Sequence, residues 1–315
     1  MMEVAAIARF GPPSVLTLHT FPVPKVGPSE VLIALHAAGV GVWDAKVREG
    51  TWATGDERYP LVLGTDGAGI VAARGARVRR FQIDDRVWAF KYRNPKGGFY
   101  AQYVAVKAEH VGRVPERIAV LEAGAAPATG LTAFQGVNHL RLAEGATVLI
   151  FGGSGAVGTL AIQFARYRQA RVLATASGQE ATDLVLRLGA EAAIDPRQGD
   201  TVDRVRAFAP DGLDAVLALA GGAVLEQCLA LVRTGGRVAY PNGVEPEPHA
   251  RQGVRVIAYD AIADPRKFAE LEDAVDEAEV RVPIAAVHPL SEAAKAHERI
   301  EQGHVLGRIV LRIDH

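Results

Sequence analysis

The chain has 315 residues, a formal net charge of −1 and a single cysteine. This length is too great for one ordinary core and suits two domains. The balanced charge gives no reason to expect nucleic acid or an anionic membrane surface as a partner. One cysteine excludes an intramolecular disulfide, as is typical of a reducing compartment. The apolar stretches are too short for a signal peptide or a membrane span, so we expect a cytoplasmic protein.

The first part of the sequence, residues 1–122, has the pattern of a small β-domain. Short apolar runs alternate with turns that contain Pro, Gly or Asp, such as Gly97-Gly98. Frequent turns between short strands are typical of a sandwich or a barrel. Asp44–Arg48 could form a helical turn within this region. The predicted strands are Val4–Arg9, Val15–Phe21, Val31–Ala38, Gly67–Ala73, Arg86–Phe90, Ala101–Val106 and Val111–Val114.

The second part, residues 123–260, alternates strands with helices. Its strands are nearly continuous apolar runs, which indicates a parallel sheet that helices cover on both faces. The pattern therefore predicts the α/β class, with a doubly wound parallel sheet of six strands. The predicted strands are Thr147–Phe151, Arg171–Ala176, Ala192–Asp195, Leu213–Ala220, Gly236–Pro241 and Arg255–Tyr259, and the helices are Ala156–Tyr167, Glu180–Leu188, Thr201–Phe208 and Ala223–Val232.

The tail of the chain contains two predicted helices, Pro265–Glu277 and Ser291–Gln302, and a final strand, Gly307–Arg312. The second domain already has its full set of strands. We therefore expect this strand to return to the first domain, which would then consist of residues 1–122 and 261–315, with residues 123–260 as the second domain.

The segment Gly152-Gly153-Ser154-Gly155-Ala156-Val157-Gly158 contains the pattern G-x-G-x-x-G between a predicted strand and a predicted helix. In such a turn the first glycine permits the bend, the second admits a pyrophosphate and the third lets the helix pack on the sheet. The free N–H groups at the helix N-terminus favour the phosphates. Further strands and helices follow this turn at regular spacing. We therefore predict a dinucleotide site here rather than a plain glycine turn.

The choice of dinucleotide depends on the end of the second strand, where an acidic residue would bind the ribose 2′-hydroxyl and repel a 2′-phosphate. This strand ends in Ala176-Ser177-Gly178, and the first carboxylate is Glu180, already on the next helix. Small residues leave room for a phosphate, so we predict NADP(H) in preference to NAD(H). Arg197, after the third strand, is the candidate partner of the phosphate, and its alternative is an ordinary exposed loop arginine.

The sequence offers no pattern for a catalytic metal. A catalytic zinc ion takes three protein ligands from Cys, His and carboxylates. The first domain contains no cysteine, and His19, His36 and His110 are scattered without ligand spacing. We therefore expect a zinc-free protein.

Several segments together carry a resemblance to a known family. They are the strand Val31–Val40, the run Pro60–Gly69, the helix start Ala128–Ala133, the β-α-β unit over residues 147–176, and the closing run from Pro289 to Leu311. Over essentially the whole chain the sequence resembles the medium-chain dehydrogenase/reductase superfamily, and most closely its zinc-lacking quinone oxidoreductases, the zeta-crystallin-like branch. Zinc-bearing relatives carry Gly-His-Glu where this chain has Gly64-Thr65-Asp66.

The resemblance implies a GroES-like first domain that the tail completes, a Rossmann second domain, a cofactor between the domains and a homodimer formed through the Rossmann sheets. It also implies the residues that would line the dinucleotide. Gly221 and the Pro241–Gly243 turn follow the fourth and fifth strands at their carboxyl ends, where open α/β sheets bind ligands. The implied lining residues are Thr129, the Gly152–Gly158 turn, Ser177, Arg197, Gly221, Pro241, Asn242 and Gly243.

Three positions depart from the family pattern. Gly41 stands where the active-site loop often has Asn, Trp52 replaces a common Tyr, and the Ser177–Glu180 stretch lacks the lysine that often meets the 2′-phosphate. The first change removes a polar contact near the reacting ring. The second reshapes the substrate pocket, and the third weakens the prediction of NADP(H).

The hypothesis for function is hydride transfer from a nicotinamide to a quinone or an α,β-unsaturated carbonyl compound, because these acceptors need no metal to activate them. Tyr259 and Tyr92 are candidate donors to the developing oxyanion, with plain packing as the alternative for each. Asp44 could orient the active-site loop or relay a proton, and its alternative is to cap a helical turn. Reduction of an enoyl thioester and non-catalytic NADPH binding remain open as alternative functions.

Overall fold

The computed structural model describes residues 1–53, 55 and 57–315, which form two compact units. The first unit contains Met1–Ala128, Ala263–Asp276 and Ile284–His315, and the second contains Thr129–Ile262 and Glu277–Pro283. Within the described residues, none of the helices is both long enough and apolar enough to cross a bilayer.

The elements are named in chain order. The strands are β1 (Met2–Ile7), β2 (Leu16–Phe21), β3 (Glu30–Val40), β4 (Leu61–Val62), β5 (Asp66–Arg74), β6 (Arg86–Phe90), β7 (Tyr103–Lys107), β8 (Val111–Arg113), β9 (Thr147–Phe151), β10 (Arg171–Thr175), β11 (Ala192–Ile194), β12 (Leu213–Ala218), β13 (Val232–Pro241), β14 (Arg255–Tyr259), β15 (Ile284–Pro289) and β16 (Arg308–Arg312). The helices are α1 (Val42–Glu49), α2 (Val120–Ala125), α3 (Pro127–Leu140), α4 (Ala156–Tyr167), α5 (Gln179–Arg187), α6 (Thr201–Phe208), α7 (Ala223–Leu229), α8 (Pro265–Glu277) and α9 (Ala293–Glu301).

The first unit is built on the long strand β3, whose residues are almost all buried. β3 pairs with β5, β7 and the final strand β16 in a seven-stranded sheet, and β1, β2 and β4 form a second, three-stranded sheet. β5 can lie close to β3 because it contains Gly69, where a Cβ would stand 1.8 Å from the carbonyl oxygen of Ala34. The final strand runs antiparallel to β3, with Ile309 opposite Val40. The tail therefore completes the sheet of the first unit.

The second unit contains a six-stranded sheet in the order β11-β10-β9-β12-β13-β14. Neighbouring strands are parallel throughout. The central strands are apolar on both faces: Val148, Leu149 and Ile150 of β9 are all fully buried. The predicted doubly wound α/β sheet is thus confirmed. Its strand order reverses at β9, because β10 and β11 lie on one side of β9 and β12, β13 and β14 lie on the other. This reversal places the turn after β9 at the point where open sheets bind ligands.

Several elements differ from the sequence-based prediction. The helical turn expected at Asp44–Arg48 is the longer helix α1. β13 begins at Val232, which was predicted as the end of the preceding helix, because the chain leaves α7 at Leu229. β15 was not predicted, since its exposed and half-buried residues alternate without a clear apolar run. Tertiary pairing overrides the weak local pattern in such segments.

Substitution of Phe268 in α8 measures how much the C-terminal part of the chain contributes to the stability of the first unit. Its side chain is fully buried, and its ring centroid lies 6.5 Å from that of Trp88 in β6. We expect Phe268→Ala to destabilise the protein by about 3–5 kcal/mol, because it removes a large buried side chain and leaves a cavity. Thermal and urea unfolding of the variant measure this loss. Val287→Ala, at a position 41% exposed in β15, is the control and should change stability by less than about 0.5 kcal/mol. Equal losses of stability in the two variants would contradict the conclusion that Phe268 is part of the core of the first unit.

Candidate functional site

The glycine-rich turn joins β9 to the N-terminus of α4. The N–H of Gly152 donates to Oγ1 of Thr175 at 2.8 Å, and the N–H of Gly153 donates to the Thr175 carbonyl oxygen at 2.9 Å. Gly152 has a φ of 91°, a conformation that other residues rarely adopt. These bonds anchor the turn to the end of β10. Gly155 precedes the helix, and no side chain caps the helix start.

The glycines of this turn have different surroundings. A Cβ on Gly158 would stand 2.3 Å from the Gly152 carbonyl oxygen, so this glycine permits α4 to pack against the turn. A Cβ on Gly155 would meet only that same oxygen, at 3.7 Å, so the space beside Gly155 is open. A tight third glycine and an open second glycine are what a pyrophosphate at a helix N-terminus requires.

A charged pair lies beside the carboxyl end of β10. The guanidinium of Arg197 makes a bidentate contact with Asp195, with N–O distances of 3.0 and 2.7 Å. The second carboxylate oxygen also accepts the N–H of Gly178 at 2.9 Å. Hydrogen bonds from Arg197 lower the pKa of Asp195, so the carboxylate is ionised and the pair is neutral overall. The Arg197 side chain remains 56% exposed.

Asp195 is a residue that the sequence reasoning missed. The sequence has no acid at the end of β10 itself, but β11 lies next to β10 in the sheet and places Asp195 there. The order of the strands, rather than the spacing along the chain, brings it there. Arg197 is the predicted residue, and its Nη2 lies 3.3 Å from the position of a Cβ on Gly178.

The other predicted cofactor residues lie as follows. Ser177 is half-buried after β10, Gly221 follows β12, and Pro241 ends β13. Asn242 donates its N–H to the Tyr259 carbonyl oxygen at 2.9 Å, and Gly243 has a φ of 92°. Because the strands are parallel, these turns share one edge of the sheet with the glycine turn. Thr129 is buried in α3.

The two candidate tyrosines occupy contrasting positions. Tyr259 is 6% exposed, and its hydroxyl donates to the Thr132 carbonyl oxygen at 2.9 Å. Burial raises the pKa of Tyr259, and its ring lies against His139, which favours packing between β14 and α3. Tyr92 is 38% exposed, with the Arg93 guanidinium 5.6 Å from the centre of its ring.

Asp44 lies in the first turn of α1 and is 1% exposed. Its carboxylate accepts the N–H of Gly41 at 2.8 Å, which caps the start of the helix. Burial raises the pKa of Asp44 to about 7; Arg308 lowers it, Asp66 raises it, and hydrogen bonds from Gly41 and Tyr100 lower it.

A buried ion pair lies beside Asp44. Nη2 of Arg308 donates to Asp66 at 2.7 Å, and the other Asp66 oxygen accepts the N–H of Ala128 at 3.0 Å. The Arg308 guanidinium also lies 4.7 Å from the ring of Trp43, whose Nε1 donates to Oγ1 of Thr65 at 2.6 Å. Burial raises the pKa of Asp66, and Arg308 lowers it. Asp66 and Arg308 thus form an ion pair in the interior of the first unit.

A further set of buried polar residues joins α1, α9 and the segment before β7. Tyr100 is fully buried. Its hydroxyl lies 3.2 Å from Nε2 of His297, and Nδ1 of His297 lies 3.2 Å from Nη1 of Arg48. Burial lowers the pKa of His297 to about 3, with Arg48 adding to the effect, so the imidazole is neutral. Sequence reasoning did not identify Tyr100, His297, Arg48 or Arg308.

The donor set at Gly64-Thr65-Asp66 does not fit a zinc ion. Thr65 accepts a hydrogen bond from Trp43, and Asp66 is paired with Arg308. Across residues 1–53, 55 and 57–315, no three His, Cys, Asp or Glu side chains are grouped so that they could hold a metal. Zinc sites of this kind need at least three such ligands.

Comparison with known proteins gives consistent relationships. Residues 27–116 match the family described as "Alcohol dehydrogenase GroES-like domain", and residues 188–311 match "Zinc-binding dehydrogenase". The quinone oxidoreductase of Mus musculus is 30% identical over 318 residues, covering 96% of this chain and 95% of its own. The structure of the quinone oxidoreductase from Coxiella burnetii has a TM-score of 0.89 and 29% identity, with 99% of each chain covered.

A mycobacterial protein whose structure was determined in complex with NADPH has a TM-score of 0.84 and 27% identity, covering 99% of this chain and 100% of its own. The GroES-like match and the full-length similarity to quinone oxidoreductases agree with the sheets and the glycine turn described above. The chain belongs to the medium-chain dehydrogenase/reductase superfamily, in its quinone oxidoreductase branch.

Proposed function

We propose that this oxidoreductase uses NADPH to reduce quinones or α,β-unsaturated carbonyl compounds without a metal. The glycine turn carries the proposal: it leaves open space at Gly155, at an uncapped helix start, while Gly158 packs tightly. That combination fits a pyrophosphate, which needs close backbone approach and free N–H donors. The mycobacterial relative bound to NADPH has the same fold over its whole length.

The Asp195–Arg197 pair supports the choice of NADPH over NADH. Each oxygen of Asp195 already accepts two hydrogen bonds, Oδ1 from N and Nε of Arg197 and Oδ2 from Nη2 of Arg197 and the N–H of Gly178, so none is left for a ribose hydroxyl. Arg197 uses Nε and Nη2 on Asp195, and its Nη1 has no partner among the described residues. An exposed guanidinium with donors to spare can bind a 2′-phosphate through charge-assisted hydrogen bonds.

The choice of acceptor follows from the chemistry of the residues present. When bound, the cofactor supplies a hydride. A saturated alcohol needs an electrophile to activate its oxygen, and the Gly64-Thr65-Asp66 segment offers no zinc site. A conjugated carbonyl accepts hydride directly, and the protein then only has to position it and stabilise the charge on its oxygen. The mouse and Coxiella relatives are both described as quinone oxidoreductases.

The proposed activity can be tested by the loss of NADPH absorbance when the purified protein meets a panel of quinones, enones and enoyl thioesters. We expect turnover with quinones or enones that a chelator does not reduce. A parallel series with NADH measures the preference between cofactors.

Turnover only with enoyl thioesters would contradict the proposed acceptor. NADPH binding, measured by fluorescence, without turnover of any acceptor would favour a non-catalytic role. Loss of activity with a chelator, restored by zinc, would contradict the metal-free reaction.

Gly155→Ala should weaken NADPH binding by at least about tenfold and leave thermal stability unchanged. The added methyl group has room in the free protein, since its nearest neighbour would be 3.7 Å away, but it occupies the space that a pyrophosphate would enter. Gly158→Ala is the contrasting variant: its methyl group would stand 2.3 Å from the Gly152 oxygen, so it should lower thermal stability as well. Titration by NADPH fluorescence and a thermal scan measure both effects. Unchanged NADPH affinity in Gly155→Ala would refute the site.

Arg197→Gln should raise the Kd of NADPH about tenfold, because a charge-assisted hydrogen bond to the 2′-phosphate is lost. The Kd of NADH should stay the same or fall, since Asp195 is then unpaired beside the ribose. Arg171→Gln is a matched control, because Arg171 at the start of β10 makes a comparable bidentate pair with Glu191 and is 44% exposed. An equal loss of affinity for both cofactors would count against a phosphate contact.

A further inference from the structure

Two arginines lie side by side at the amino-terminal edge of the six-stranded sheet, which is the edge opposite the glycine turn. Arg255 is the first residue of β14, and Arg237 of β13 is its Cα partner in the parallel register. Neighbouring strands are about 4.8 Å apart, and the side chains of such partners point to the same face of the sheet. Like charges in facing positions of neighbouring strands repel each other. An anion at this place would therefore stabilise the pair.

The face that carries these two arginines is the one that α3 covers. Side chains alternate along a strand, so Arg255 and Tyr259 of β14 point to the same face. Tyr259 meets α3 on that face: its hydroxyl donates to the Thr132 carbonyl oxygen at 2.9 Å, and its ring centroid lies 5.1 Å from that of His139. The guanidinium groups of Arg237 and Arg255 therefore lie on the α3 side of the sheet.

A third arginine, Arg141, is brought to the same edge by the end of α3. It is the first residue after this helix, and residues 141–146 lead directly to the start of β9. The strands of a parallel sheet all start at one edge, so α3 ends at the edge where Arg255 begins its strand. Burial lowers the pKa of Arg237, and the charges of Arg141 and Arg255 lower it further, as expected for cations that face one another.

These three guanidinium groups have no protein acceptor. Across residues 1–53, 55 and 57–315, no side chain or carbonyl group forms a hydrogen bond or an ion pair with any of them. The carboxyl end of α3 supplies only a partial negative charge. Arg171, at the start of β10 on the same edge, is by contrast paired with Glu191 at 2.6 Å. Arg237 is half-buried, and Arg141 and Arg255 are exposed, so an anion from solvent can reach them.

We propose that Arg237 and Arg255, together with Arg141, bind the phosphate group of a small anionic ligand at the amino-terminal edge of the Rossmann sheet. The planar guanidinium group binds phosphate oxygens in pairs, and a phosphate has enough oxygens for more than one arginine. Its charge also removes the repulsion between the two strands. The five residues of β9 separate this site from the Gly152–Gly158 turn by about 15 Å, so the site is independent of the proposed reduction.

The site can be tested by calorimetric titration of the full-length protein with pyrophosphate and with inorganic phosphate. Arg237→Gln and Arg255→Gln should each raise the Kd of pyrophosphate at least about tenfold, because charge-assisted hydrogen bonds are lost. Gly155→Ala, at the cofactor turn, should leave this Kd unchanged. At a pyrophosphate concentration about ten times its Kd, the Tm of the unmodified protein should rise by about 2 °C. Sodium chloride of the same ionic strength should have a smaller effect.

The variants also differ in stability when no ligand is present. Arg255→Gln removes a repulsion, so its Tm should rise by up to about 1 °C at low ionic strength. Arg171→Gln is the matched control, since it removes an ion pair with Glu191 at the same edge. Its Tm should stay the same or fall, and its Kd for pyrophosphate should not change. A lower Tm in Arg255→Gln would show that this arginine has a stabilising partner and would overturn the argument.

The remaining outcomes are equally decisive. An unchanged Kd of pyrophosphate in both Arg237→Gln and Arg255→Gln overturns the site. A rise in Tm that sodium chloride reproduces shows general screening of charge and also overturns it. Binding that is lost only in Gly155→Ala places the pyrophosphate at the cofactor turn instead. The titration needs neither NADPH nor an acceptor, so its result stands whether or not the protein proves to be a reductase.

Discussion

The first unit depends on the ion pair between Arg308 and Asp66, whose residues lie 242 positions apart in the sequence. Both side chains are almost completely buried. A buried charge that loses its partner costs about 3–5 kcal/mol, so the two segments must meet in one register. This requirement brings the last strand of the chain beside β3 and keeps the tail in the unit that the N-terminal residues began. It also places a guanidinium under Trp43, where the helix α1 starts.

The second unit depends on a different kind of constraint. Its sheet is made from strand-helix units that follow one another along the chain, and each strand is a continuous apolar run. Local pattern therefore predicted this unit well, including the order of elements and the turn at Gly152–Gly158. The turn was predictable because its glycines meet local requirements: Gly152 has a positive φ, and Gly158 packs against the Gly152 carbonyl oxygen. Because these contacts join residues close together in the chain, the spacing of the glycines in the sequence predicts them.

The rest of the candidate site could not be read from spacing. Asp195 acts at the end of β10 because β11 is its neighbour in the sheet, and nothing in the local sequence shows that adjacency. The chain from Arg48 through His297 to Tyr100 joins three distant segments, and hydrogen bonds between such segments leave no period in the sequence. Tyr259 ends its strand as predicted, but its hydroxyl donates to the carbonyl oxygen of Thr132, which lies in α3 and is far from Tyr259 in the sequence.

The single cysteine gives the protein an additional chemical property. Cys228 is fully buried among the apolar side chains of α7 and the sheet, and burial raises the pKa of its thiol to about 11. The thiolate is the nucleophilic form of cysteine, and only about one thiol in ten thousand would be ionised at pH 7. Quinones and enones alkylate accessible thiolates. Under the proposed function, the position of the one sulfhydryl group inside the core keeps it from being alkylated by such acceptors.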